Sequence, residues 1–232
     1  MLQIFTNYKY ARSALLTVSH YALLAFLLFS IFIVMLFPPQ FGKLLYQIGM
    51  TGVLLSAFLC IQTKYQRIIR WLIAFTVLAT WAYFSIDGFV LNVISKTLII
   101  SLYIIIVVTL VKQAASSKTV NRIVILESVN GYLMIGLFYS IIIGLVVVVD
   151  PSAYRFQSIV VKETDEIVTN FNEYIYYSFN AFTTVTYGDA LPRSSLAKSL
   201  SMAIGFTGQM YVVLIIAMLV GKYSGGAGKE QE

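Results

Sequence analysis

Apolar residues run in long blocks along this chain, and the polar residues are gathered between the blocks instead of alternating with them. A bilayer core about 30 Å thick needs roughly 20 apolar residues in a helix, fewer where the membrane thins. By that ruler the blocks predict six helices, over 15–37, 44–61, 71–84, 89–111, 123–149 and 196–220. Pro38-Pro39 ends the first, because neither residue donates a backbone hydrogen bond. The third is short, and Asp87-Gly88 keeps it separate from the fourth. The fold expected is an all-α membrane protein with six transmembrane helices: a four-helix N-terminal membrane domain (1–122), a second helical domain (123–221) and a short tail (222–232). The tail contains "SGGAGKE" and is expected to be disordered.

The stretch between the fifth and sixth blocks is neither span nor short turn. Its first half, "DPSAYRFQSIVVKETDEIVTN", is polar and acidic, and "RFQSIVV" predicts a short strand. Its second half, "FNEYIYYSFNAFTTV", is aromatic and helical but too short to cross a bilayer. Such a segment enters and returns, and non-helical backbone at membrane depth survives only where protein surrounds it or it lines a wet cavity. The C-terminal end of a half-helix presents partial negative charge, which favours a cation. The "TVTYGD" that follows would then offer successive carbonyls in place of water around that cation, which is the physical logic of a selectivity filter.

Composition and charge agree with a membrane chain. Of the 232 residues, 59% are hydrophobic and 11% charged, and the mean hydropathy is +0.84, far from a soluble domain. The net charge of +6 encodes orientation once it is sorted by connection. One side collects Lys9, Arg12, Lys64, Arg67, Arg70, Lys112, Lys118, Arg122, Lys222 and Lys229; the other holds Lys43, Lys96, Arg155, Lys162, Arg193 and Lys198. Asp87, Asp150, Glu163, Asp165, Glu166, Glu173 and Asp189 fall on the second side, so both termini are expected in the cytoplasm of a multi-pass cell-membrane protein. Lys9 and Arg12 precede a block too long for a signal-peptide core, which reads as a retained span. Cys60, the one cysteine, excludes an internal disulfide and reads as a small buried residue.

The arrangement of a fifth helix, a re-entrant helix, "TTVTYGD" and a sixth helix resembles the pore module of tetrameric potassium channels, prokaryotic members included, whose filter reads Thr-Val-Gly-Tyr-Gly. "YYSFNAFTTVTYGDALP", "AKSL" and "GFTGQMYVVLIIAMLVGKY" carry the likeness, over about the last 110 residues. The first four helices match that family only in number and topology. The resemblance implies a pore domain over 123–221 and a filter of Thr184, Val185, Thr186, Tyr187 and Gly188. Potassium, or another monovalent cation, would be held at the carbonyls of Thr184, Val185, Thr186 and Tyr187 and at the Thr184 hydroxyl. Thr183, Asn180 and Asp189 would support the filter, the last two as an amide–carboxylate pair. Tyr176 and Tyr177 would form an aromatic cuff around Val185 and Tyr187. Gly208, with Gly205, stands at the inner-helix hinge or, alternatively, allows close packing behind the filter. One filter per chain implies a homotetramer in contact with membrane lipids, with no further cofactor, no nucleic acid and no small-molecule substrate.

Thr186 departs from the family. A glycine there takes positive φ freely, whereas a β-branched residue pays for it. Either neighbours hold Thr186 in the strained form, keeping the carbonyl layers and potassium preference, or its carbonyl turns off the axis and the channel becomes weakly selective. A non-conducting membrane scaffold is the third possibility.

Other groups receive quieter readings. The fourth helix carries a single basic residue, Lys96, so intrinsic voltage sensing is expected to be weak or absent. Gly49, Gly52, Ser56 and Ala57 suit close helix contact. His20 reads as a polar contact, and Glu127 as reaching interfacial water or a basic neighbour. Glu163, Asp165 and Glu166 could enrich cations at an entrance. Repeated halves with broken helices, the mark of a secondary transporter, are missing from the sequence, as are the convergent His and acidic groups that a membrane enzyme needs.

Overall fold

The computed structural model describes residues 16–37, 39–61, 66–86, 89–117, 120–156 and 171–227. Its elements are α1 (Leu16–Leu36), α2 (Pro39–Cys60), α3 (Gln66–Ile86), α4 (Phe89–Ser116), α5 (Arg122–Val149), β1 (Tyr154–Arg155), α6 (Phe171–Phe182), β2 (Leu191–Pro192) and α7 (Ser195–Ala227). Among the described residues, Leu16–Leu36, Ile94–Ser116, Arg122–Val149 and Ser195–Lys222 are long and apolar enough to cross a membrane; Leu44–Cys60 is a shorter apolar helix. The protein is therefore an all-α membrane protein by length and composition. Two compact units divide within α5, one ending at Gly131 and the other starting at Tyr132.

In the first unit, α1 loosens into a π turn over Phe29–Ile33 and a 3₁₀ turn over Val34–Leu36. Phe37 is then extended, at φ −96° and ψ 148°, the conformation imposed on a residue that precedes proline. Gly49 and Gly52 of α2 lie against Ser30 and Phe26 of α1, and Ser56 and Ala57 are buried on α2. The small residues thus permit close approach of helices. Polar bonds also pin the helices to one another. Trp81 donates to Thr51 (3.1 Å), Ser95 to the Ala79 carbonyl (3.0 Å) and Tyr103 to the Met50 sulfur (3.2 Å). The helix α3 starts five residues before the apolar block because Arg67 and Arg70 extend it; Arg70 lies over the Phe58 ring at 5.0 Å. Asn121 caps α5, accepting the Val124 amide at 3.0 Å. Glu127, expected at interfacial water or a basic neighbour, is buried, with His20 as its neighbour (Nε2–Oε1 3.6 Å). Asn130 donates to the His20 carbonyl at 3.1 Å.

In the second unit, Gly136 and Gly144, about two turns apart on α5, face the rings of Phe179 and Tyr174 on α6. Ser178 adds a buried bond to the Gly136 carbonyl, 2.7 Å. The expected strand over "RFQSIVV" is corrected: β1 begins one residue earlier and ends at Arg155, because its partner is only the dipeptide β2, Tyr154 opposite Pro192 and Arg155 opposite Leu191. Phe156 is outside the ladder, and residues 157–161 of the expected strand, with Glu163, Asp165 and Glu166, lie outside the described residues. The expected disordered tail is also corrected in part, since α7 continues to Ala227. Extending an existing helix avoids the nucleation cost and offsets the weak propensity of Gly225 and Gly226.

A Cβ on Gly208 would run into the Phe182 carbonyl, which is backbone and cannot swing aside. Gly208→Ala is expected to destabilise the protein by about 1–3 kcal/mol through overpacking. Gly221→Ala, with open space around it in the chain, should leave the thermal unfolding midpoint in detergent nearly unchanged.

Candidate functional site

The site begins at the end of α6. Glu173 in its first turn complements the positive end of the helix dipole, and the last turn carries no basic residue to neutralise the negative end. The chain then folds back on that end. The amides of Thr183, Thr184 and Thr186 donate to the carbonyls of Phe179 (2.9 Å), Ala181 (3.1 Å) and Asn180 (3.3 Å). The Thr183 hydroxyl adds a second bond to the Phe179 carbonyl, 2.7 Å. Three amides are thereby committed to helix carbonyls that would otherwise be orphaned.

The carbonyls of the same segment go the other way. Among the described residues, no hydrogen bond reaches the carbonyls of Thr184, Val185, Thr186 or Tyr187, and all four residues are exposed in the chain. Thr184 (φ +60°), Thr186 (φ +39°) and Gly188 (φ +84°) have positive φ, with Val185 and Tyr187 on the negative side between them. Such alternation of hand turns successive peptide groups to one side of the chain, the way backbone groups make ion-binding concavities. Thr186 therefore keeps the left-handed form that glycine would take. The positive φ of Thr184 went unforeseen, because nothing in a threonine's identity announces it. Each β-branched residue held there costs about 1–3 kcal/mol, and the bonds to α6 supply the restraint.

Behind this segment lies a cleft of about 280 Å³, lined by Asn180, Thr184, Tyr187, Asp189, Ser201 and Met202 among others. Asp189 does not pair with Asn180 as the resemblance implied. Its carboxylate accepts the Tyr176 hydroxyl at 2.6 Å, and the Asn180 side chain bonds that same hydroxyl. The phenol has the longer reach, so it spans from α6 to the carboxylate. Its bond, reinforced by the amides of Asp189 and Ala190, holds the Asp189 carboxyl below the usual carboxylate range, and raises the Tyr176 phenol in turn.

The expected cuff is also rearranged. Tyr177 is buried and turned into an outer aromatic cluster, with Tyr154 at 5.0 Å and Phe156 at 6.3 Å between ring centroids. Its hydroxyl meets Ser201 of α7 at 2.5 Å; Ser201 donates its own proton to the Ala197 carbonyl, so Tyr177 is the donor. A second cluster, Tyr132, Tyr139, Phe182 and Tyr211, packs α6 between α5 and α7. Val185 and Tyr187 remain 53% and 74% exposed in the single chain. Gly205 and Gly208 lie under the end of α6, against the Ala181 and Phe182 carbonyls, the close-packing role.

Two contributors escaped the sequence reading. Ser201 looked like an ordinary small residue. Gln209 donates from its Nε2 to the Thr184 hydroxyl at 3.1 Å; an amide alone in an apolar span was the signal that could have found it.

Residues 137–224, less than half of the chain, match a family model described as "ion channel". The match covers the C-terminal half of α5, the site and nearly all of α7, and it supports an ion channel, a class that is not enzymatic. No curated protein and no solved structure matches the chain.

Removing the Tyr176 hydroxyl tests the carboxylate's environment. Asp189's lowered value means that its bond stabilises the site above the usual carboxylate range and is lost as pH falls through the depressed folded value. In Tyr176→Phe the Asp189 titration, followed by infrared spectroscopy of isotope-labelled aspartate, should move up toward the ordinary value.

Proposed function

We propose that the chain is one subunit of a homotetrameric potassium channel of a cell membrane, with six helices crossing, α6 re-entering and both termini cytoplasmic. Four copies of the segment Thr184–Gly188 surround one axis and replace the hydration shell of a cation with main-chain oxygens. The observation that carries this reading is the run of four carbonyls, Thr184 to Tyr187, without hydrogen-bond partners while the neighbouring amides are taken up by α6. Unpaired carbonyls at membrane depth need a ligand, and a dehydrated cation is the ligand they suit.

Assembly is supported by what one chain leaves bare. Val185 and Tyr187 are apolar or aromatic and exposed, and α7 exposes Met202, Phe206 and Val213 by 76%, 69% and 59%. Copies of the chain cover part of that surface and lipid the rest. The lone negative end of α6 in each copy adds to the cation's stabilisation. Potassium is favoured over a weakly selective pore because Thr186 keeps positive φ, the geometry that a glycine-containing filter uses. The basic residues of α4 are Lys96 and, near its C-terminal end, Lys112, too sparse a set for the first unit to act as a voltage sensor.

Liposomes containing the purified protein should take up rubidium, with block by barium, and the reversal potential under potassium and sodium gradients should favour potassium. A membrane scaffold would show neither uptake nor block. Thr186→Gly should raise the thermal stability of the assembly by about 1 kcal/mol per chain as the strain is relieved, and should leave the reversal potential unchanged. A shift toward sodium in that variant would overturn the account of Thr186.

A further inference from the structure

The inner end of the segment carries one contact that the general logic of a carbonyl filter does not require. The Thr184 hydroxyl donates its single proton to the Thr183 carbonyl at 2.7 Å. It can therefore only accept from Gln209, which fixes the amide orientation: Nε2 toward Thr184 (3.1 Å), the amide oxygen away from it. A hydroxyl oxygen has two lone pairs, so Gln209 occupies one of the two that a cation would use. The donor also brings a partial positive hydrogen to the edge of that site. Among the described residues Gln209 has no other hydrogen bond, and it sits one residue beyond Gly208, where α7 is pressed against the Phe182 carbonyl. A polar amide in an apolar span is expensive unless it has a function.

We infer that Gln209 is a positioning residue that weakens cation binding at the innermost site, the Thr184 hydroxyl, and so keeps that site from trapping the ion it passes. The inference rests on the channel reading above. In the assembly four amides ring the inner entrance, each holding one threonine hydroxyl in a fixed rotamer and lowering its pull on the cation. Conduction needs this balance, since a site that binds too well does not release. The close contact between Gly208 and the end of α6 sets the distance, so that Gln209 reaches Thr184 without α7 having to bend.

Barium, a divalent cation of nearly potassium's size, is the probe because a tighter innermost site shows directly as a lower blocking concentration. Rubidium uptake with barium titration is measured for the native protein, Gln209→Leu and Gln209→Glu. Both variants remove the donor, and the second keeps the size of the side chain should the first fail to assemble. Blocking concentrations are expected to fall about three- to tenfold in Gln209→Leu, the scale of one hydrogen bond, and further in Gln209→Glu, which adds negative charge. In a Thr184→Val background, which lacks the hydroxyl, Gln209→Leu should shift block by less than twofold, a coupling that a merely structural glutamine would not show. Native uptake with unchanged block in both variants, or an equal shift in the Thr184→Val background, overturns the role of Gln209 while leaving the channel reading intact. Absence of uptake in the native protein overturns the channel reading, and this one with it.

Discussion

The chain that leaves α6 bends back so that the amides of Thr183, Thr184 and Thr186 bond the carbonyls of Phe179, Ala181 and Asn180. A helix end normally leaves its last carbonyls for water or a cap. Here the following segment is the cap, and in giving up its amides it must present its carbonyls elsewhere. Two threonines held at positive φ are the local cost, and they persist because the surrounding bonds over-determine the backbone.

Much of the second unit acts to keep that helix end in place. Gly136 and Gly144 let α6 sink onto α5, while Gly205 and Gly208 let its carbonyl end touch α7. Tyr177 ties the middle of α6 to Ser201, and Tyr139 donates to Thr207, whose own proton is committed to the Ala203 carbonyl. Beyond the segment, the Arg193 amide donates to the Ala153 carbonyl at 2.7 Å, alongside the β1–β2 ladder. The segment is thus tethered before and after, and the side chains of Val185 and Tyr187 are left exposed in the chain.

Many polar groups in the apolar helices of both units are placed where another backbone or side chain can meet them, while His20 Nδ1, Gln113 Oε1 and Asn130 Oδ1 are buried without a hydrogen-bond partner among the described residues. Serines and threonines such as Ser30, Thr76, Ser128 and Ser201 return their protons to carbonyls one turn earlier. Tyr103, Trp81 and Asn130 instead reach across to other helices, which specifies their packing register in a setting where apolar contacts alone discriminate little.

The sequence by itself determined the helices, because block length and proline or glycine breaks act locally: Phe37 turns extended before Pro38, and α6 is too short to cross whatever surrounds it. It also marked Thr183 to Asp189 as a polar stretch following a short helix, and Thr186 as the residue at odds with glycine. Side-chain partners were not legible. The choice of Tyr176 over Asn180 for Asp189, the turning of Tyr177 away toward Tyr154, the positive φ of Thr184 and the reach of Gln209 back to Thr184 all depend on distances between residues far apart in the chain. Those distances are set only when α5, α6 and α7 pack together. A hydrogen bond depends on angle and separation to tenths of an ångström, and spacing along one helix carries no such information about another.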